Sequence, residues 1–121
     1  MTYDPKHLQT IFQRAAPPEL EVRFKPMFGG ILAYVFDKPC GALFDGGLGL
    51  KFPGAAVRAE LLAVPGARPL RYAADQPVSK TYVTVPDAML DDPQTLGVWI
   101  ARSAAEVRGR KAAPPRKRRR G

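Results

Sequence analysis

The stretch from Met27 to Phe52, MFGGILAYVFDKPCGALFDGGLGLKF, constrains the fold more than any other part of the chain. Three apolar runs, Ile31 to Phe36, Cys40 to Phe44 and Leu48 to Phe52, are separated by Asp37-Lys38-Pro39 and by Asp45-Gly46-Gly47. Short apolar runs bounded by Asp, Gly and Pro read as strands joined by tight turns, so this stretch predicts a three-stranded antiparallel meander. In the first strand Leu32, Tyr34 and Phe36 share one face while Ile31, Ala33 and Val35 share the other. The smaller set should meet solvent or a second layer. In the third strand Leu48, Leu50 and Phe52 alternate with Gly49 and Lys51, a half-buried pattern whose inner face a helix should cover.

The flanking segments supply that helical layer. Asp4 can cap a helix whose first turn tolerates Pro5, because the N–H that proline lacks has no partner there. Leu8, Ile11, Phe12 and Ala15 then fall on one side at helical spacing, until Pro17-Pro18 stops the run. Between Glu19 and Pro26, Leu20, Val22 and Phe24 alternate with Glu21, Arg23 and Lys25, a pattern open to an extended edge segment. Beyond the meander, Val57, Leu61 and Val64 predict a second helix from about Ala55 to Val64, ended by Pro65-Gly66. Leu70 to Ala73 and Ser79 to Val85 read as two further strands around the turn Ala74-Asp75-Gln76-Pro77. Asp92-Pro93 repeats the cap-then-proline opening, and Leu96, Trp99, Ile100, Ser103 and Val107 form a stripe that should dock on the sheet through Trp99. The expected order is α-β-β-β-α-β-β-α. That is an α+β two-layer domain, with a mainly antiparallel sheet of about five strands and helices on one face.

With 121 residues the chain suits one domain, 1–107, followed by a tail, 108–121. It has no run of about 18 apolar residues to cross a membrane and no basic-then-apolar leader, and its single cysteine, Cys40, cannot form an intrachain disulfide. Together these favour the cytoplasm as the expected location. The net charge of +8 belongs to one segment only, since residues 1–107 carry 11 Lys/Arg against 11 Asp/Glu. Arg108, Arg110, Lys111, Arg116, Lys117, Arg118, Arg119 and Arg120 account for all of the excess. Ala112-Ala113-Pro114-Pro115 reads as a stiff spacer, and self-repulsion should leave the tail disordered. Such a tail can touch nucleic-acid phosphates without reading sequence. Without an apolar anchor it is a poor membrane ligand.

Lys25-Pro26-Met27-Phe28-Gly29-Gly30, followed by the hairpin ending Asp45-Gly46-Gly47-Leu48-Gly49-Leu50-Lys51, resembles the signature of the N-terminal domain of TfoX/Sxy-type competence regulators. Tyr82 through Pro86-Asp87 to Leu90-Asp91-Asp92, with Trp99 behind it, is similar to that domain's closing portion. The resemblance covers roughly residues 5–107. It implies a two-layer α+β fold and a role in transcriptional regulation of natural competence, where full-length regulators act with a cyclic-AMP receptor protein. Those regulators carry a second, helical C-terminal domain, whereas only a basic tail follows here. The resemblance brings no catalytic residues with it.

Residue by residue, the candidate chemistry is thin. Phe28-Gly29-Gly30, with Arg23 and Lys25 nearby, could form a backbone nest for an anion, but glycines also permit a tight bend into a strand. His7 lies on the polar side of the first helix, Cys40 suits hairpin packing, and Asp91-Asp92 suits helix capping. The family-motif residues Lys25, Met27, Phe28, Gly29 and Gly30 are therefore candidates for structure or partner binding. The expectation is a non-catalytic regulatory or adaptor domain that needs no cofactor or metal and acts through a protein partner. The alternative is a nucleic-acid accessory protein that binds through the tail. An unpaired sheet edge also leaves homodimerisation open.

Overall fold

The computed structural model describes residues 3–27, 29–71 and 77–112. Helix α1 (Pro5–Ala15) opens the chain, and the Lys6 N–H donates to the Asp4 carboxylate at 3.0 Å, the expected cap. Strands β1 (Val22–Met27), β2 (Gly30–Val35), β3 (Lys38–Phe44) and β4 (Gly47–Lys51) follow. Next come α2 (Ala55–Leu62), β5 (Arg68–Pro69), β6 (Tyr82–Thr84), a 3-10 turn (Asp87–Asp91) and α3 (Pro93–Ala112). The six strands form one antiparallel sheet in the order β1-β2-β3-β4-β6-β5.

The expected class and helix layer hold, with one strand more than the five expected. The alternation before Pro26 is the edge strand β1, which pairs with β2 from Val22↔Val35 to Met27↔Gly30. Of the later strands, β5 lies at Arg68–Pro69, ahead of the expected Leu70 to Ala73, of which Tyr72 and Ala73 lie outside the described residues, and β6 spans only Tyr82–Thr84. Ala74, Asp75 and Gln76 lie outside the described residues. The boundary drawn after Val107 falls inside α3, which continues to Ala112. Arg108, Arg110 and Lys111 are thus helical, while Arg116, Lys117, Arg118, Arg119 and Arg120 lie outside the described residues.

The core lies between the helices and one face of the sheet. Leu48, Leu50 and Phe52 point into it as expected, joined by Leu8 and Phe12 of α1, Leu61 of α2 and Leu96 and Ile100 of α3. On β2 it is the smaller set, Ala33 and Val35, that faces this second layer. The physical reason is space. Opposite Ala33, a Cβ on Gly41 would stand 2.9 Å from the Phe12 ring, so small residues here let α1 seat its phenylalanine against the strands. Phe12 meets Phe24 edge to face at 5.8 Å, and Phe52 meets Trp99 likewise at 6.0 Å. A register shift between Ala33 and Tyr34 accommodates Cys40 as an extra residue in β3, and its side chain is buried in the core.

Helix α3 is tied down by polar contacts as well as packing. The buried Ser103 hydroxyl lies 2.7 Å from the Lys51 carbonyl oxygen and 3.2 Å from that of Cys40. Glu106 accepts from the Gly54 N–H at 2.9 Å, which places a carboxylate at the N-terminus of α2. Asp92 caps α3 through the Thr95 N–H and hydroxyl, and those bonds hold its carboxyl below the usual range.

Candidate functional site

Side-chain alternation assigns every strand residue to one of two faces. With Phe24, Ala33, Leu43, Leu50 and Val83 facing the helices, the opposite face carries Arg23 and Lys25 of β1, Leu32 and Tyr34 of β2, and Ala42 and Phe44 of β3. Gly49 and Lys51 of β4 and Tyr82 and Thr84 of β6 continue it. Among the described residues no helix lies on this face. At its β6 end Leu70 packs over Gly49, where a Cβ would stand 2.6 Å from the leucine Cδ1. Leu70 and Thr84 are consequently buried.

At the β1 end the face stays open and holds a depression of about 840 Å³. Leu32 and Ala42 form its floor, and Met27, Gly30, Phe44 and Pro77 surround them. That volume lies within the range of ligand pockets and of receptors for anchoring side chains. Gly30 is needed there, because a Cβ would meet the Leu43 carbonyl oxygen at 2.7 Å. Gly29 has φ +80°, the left-handed region that suits the hairpin tip. A smaller depression of about 390 Å³, lined by Asp4, Lys6, Phe24 and Pro26 among others, lies on the α1 side of the same tip. The tip is therefore a wall between two concavities.

The motif residues separate by role in this geometry. Gly29 and Gly30 shape the tip, Met27 is 45% exposed at the rim, and Lys25 lies beside Leu32 on the open face. Phe28 lies outside the described residues. Leu32, Ala42, Phe44 and Pro77 carry no motif, and the sequence reading did not single them out as site residues. The available signal was the run of small residues at Gly30, Ala42 and Gly49, which the pairing of β2, β3 and β4 places on one face.

The reactive groups do not converge. Burial pushes the Cys40 thiol up from 9.0 to about 12, so it stays protonated and walled off from reagents. His7 is exposed on α1. Among the described residues no three His, Cys, Asp or Glu side chains gather as a metal-ligand set. Among them, too, no helix is long and apolar enough to cross a membrane.

The first cation of the basic segment has a defined place. The Arg108 guanidinium stacks 4.6 Å from the centre of the Phe36 ring. Phe36 and Asp37 both have positive φ, 52° and 62°, the backbone of a tight hairpin turn that a phenylalanine seldom enters.

A family model described as the TfoX N-terminal domain matches residues 12–107 of the 121. The chain belongs to the TfoX N-terminal domain family. Neither the comparison with curated proteins nor that with solved structures finds a match. Family membership supports a regulatory-domain role, and it spans every strand of the sheet and most of α3. The wall between the two concavities is built around Gly29 and Gly30, which line both, with Met27 towards one and Pro26 towards the other.

Proposed function

We propose that this TfoX N-terminal domain acts in the cytoplasm as a non-catalytic regulatory adaptor for transcription control of the competence type. In this reading it engages a protein partner through the open face of its sheet. The observation that carries the proposal is the depression beside the β1–β2 hairpin, an apolar concavity of about 840 Å³ with the exposed Met27 at its rim. Surfaces of this kind seat the anchoring side chain of another protein. The family membership favours regulation over turnover, and among the described residues Cys40 is buried in the core while His7 lies exposed on α1, so the two do not act together.

Site-specific photo-crosslinking in cells tests the proposal. A photoreactive residue replacing Met27 is expected to form protein adducts that survive nuclease, whereas one replacing Val98, 57% exposed on α3, forms far fewer. Equal labelling at both positions, or adducts that vanish with nuclease, would rule the proposal out.

A second reading rests on the segregation of all the excess charge at the C-terminus. In it, the basic segment adds sequence-independent contacts to nucleic-acid phosphates. Its test belongs to the salt dependence of binding by the intact chain.

A further inference from the structure

The open sheet face has a polarity as well as a shape. Beside the apolar floor of Leu32 and Ala42 stands Lys25, directly across from Leu32, and two pairs further along stands Arg23, across from Tyr34. On the far side of the face Lys51 stands across from Tyr82. The Lys25 ammonium lies 5.5 Å from the Tyr34 ring and the Lys51 ammonium 5.9 Å from the Tyr82 ring. None of these three cations forms an ion pair with a described residue. The single ion pair among the described residues joins Arg102 to Glu60 on the helix side. Among the described residues the one acid lining the depression, Asp45, sits at the β3–β4 turn, and the acids that line a concavity with Arg23, namely Glu19, Glu21 and Asp37, lie off the far end of the strands.

We infer that this face takes an acidic apolar peptide segment of the partner. Its apolar side chains enter the depression, and neighbouring carboxylates meet Lys25 and Arg23. The inference rests on the protein-partner reading above and adds the chemistry of the ligand.

Two features place the peptide on the face instead of along an edge. Pro26 lies in the edge strand β1 and Pro69 in the edge strand β5, so each edge lacks a backbone donor that an added strand would need. The aromatic rings of the face also argue against a nucleic-acid strand. Tyr34 and Tyr82 already hold a lysine ammonium, whereas stacked bases require open ring faces.

The test is a nuclear magnetic resonance titration of the full-length chain with three probes. These are a short synthetic peptide alternating Asp with Phe and Leu, the same peptide with Lys in place of Asp, and a short oligothymidylate. The acidic peptide is expected to shift the amides of Met27, Gly30, Leu32, Ala42 and Phe44. Either Lys25→Glu or Arg23→Glu, both exposed and outside the core, should weaken that binding about tenfold with the melting temperature held. Leu32→Asp removes the apolar contribution and should weaken it similarly. Equal binding of the lysine peptide, shifts confined to other residues, no shifts, or a response to the oligothymidylate alone would each overturn the inference. If crosslinks at Met27 persist while the acidic peptide fails, the ligand chemistry is wrong and the partner site stands. Loss of the Met27 crosslinks removes the site itself.

Discussion

Ser103 illustrates how a single buried hydroxyl can position an element. It sits in the apolar stripe of α3, yet it reaches two strands by meeting the carbonyl oxygens of Lys51 at 2.7 Å and Cys40 at 3.2 Å. A hydroxyl has one proton to donate, so the shorter contact carries the bond. Ser103→Ala leaves the Lys51 carbonyl short of that donor, and it is expected to lower stability by about 1–2 kcal/mol. A urea midpoint measured at unchanged slope would register the loss. Cys40 shows the opposite case, a polar group kept neutral by burial. Its folded thiol titrates at about 12 against 9.0 when unfolded, so its contribution is complete below pH 9.0. That contribution is then lost as the pH rises through the folded value, because only the unfolded thiol releases its proton. The stability difference between the native chain and Cys40→Ala should therefore shrink across this window, and alkylation at pH 8 should require denaturant. A pH-independent difference would contradict the assignment.

At the scale of elements, the starts of α1 and α3 were legible in sequence because capping is local. Asp4-Pro5 and Asp92-Pro93 each place an acceptor and a proline where the helix has spare donors. The far end of α3 was not legible. The cations after Val107 read as the start of a tail, yet the helix runs to Ala112, and Arg108 stacks on Phe36 at the β2–β3 turn. A chain ending at Val107 therefore loses a helical turn and a cation–π contact worth about 0.5–1 kcal/mol at an exposed site. It should melt lower than a chain ending at Ala112, and the latter should melt with the full-length protein. Calorimetry on the three lengths distinguishes these outcomes.

For the molecule as a whole, charge and shape lie in different places. The body is neutral, its open face carries Arg23, Lys25 and Lys51, and the excess charge sits at and beyond the end of α3. If the basic segment binds DNA through all eight cations from Arg108 to Arg120, the log–log salt slope is about −7. Ending the chain at Ala112 leaves three of them, and the slope should fall to about −3. Fluorescence anisotropy over a salt series measures both, and a slope unchanged by the truncation would assign the binding to the folded body. By itself the sequence determined the meander, the helix starts, the α+β class and the motif at the hairpin tip, because each depends on residues close together in the chain. The tertiary structure decided which face of β2 turns inward, since that depends on Phe12 packing across Gly41 and Ala33. It alone also brought Met27, Leu32, Ala42, Phe44 and Pro77 around one depression. Those five come from four separate segments, and only strand register and packing across the sheet bring such positions together.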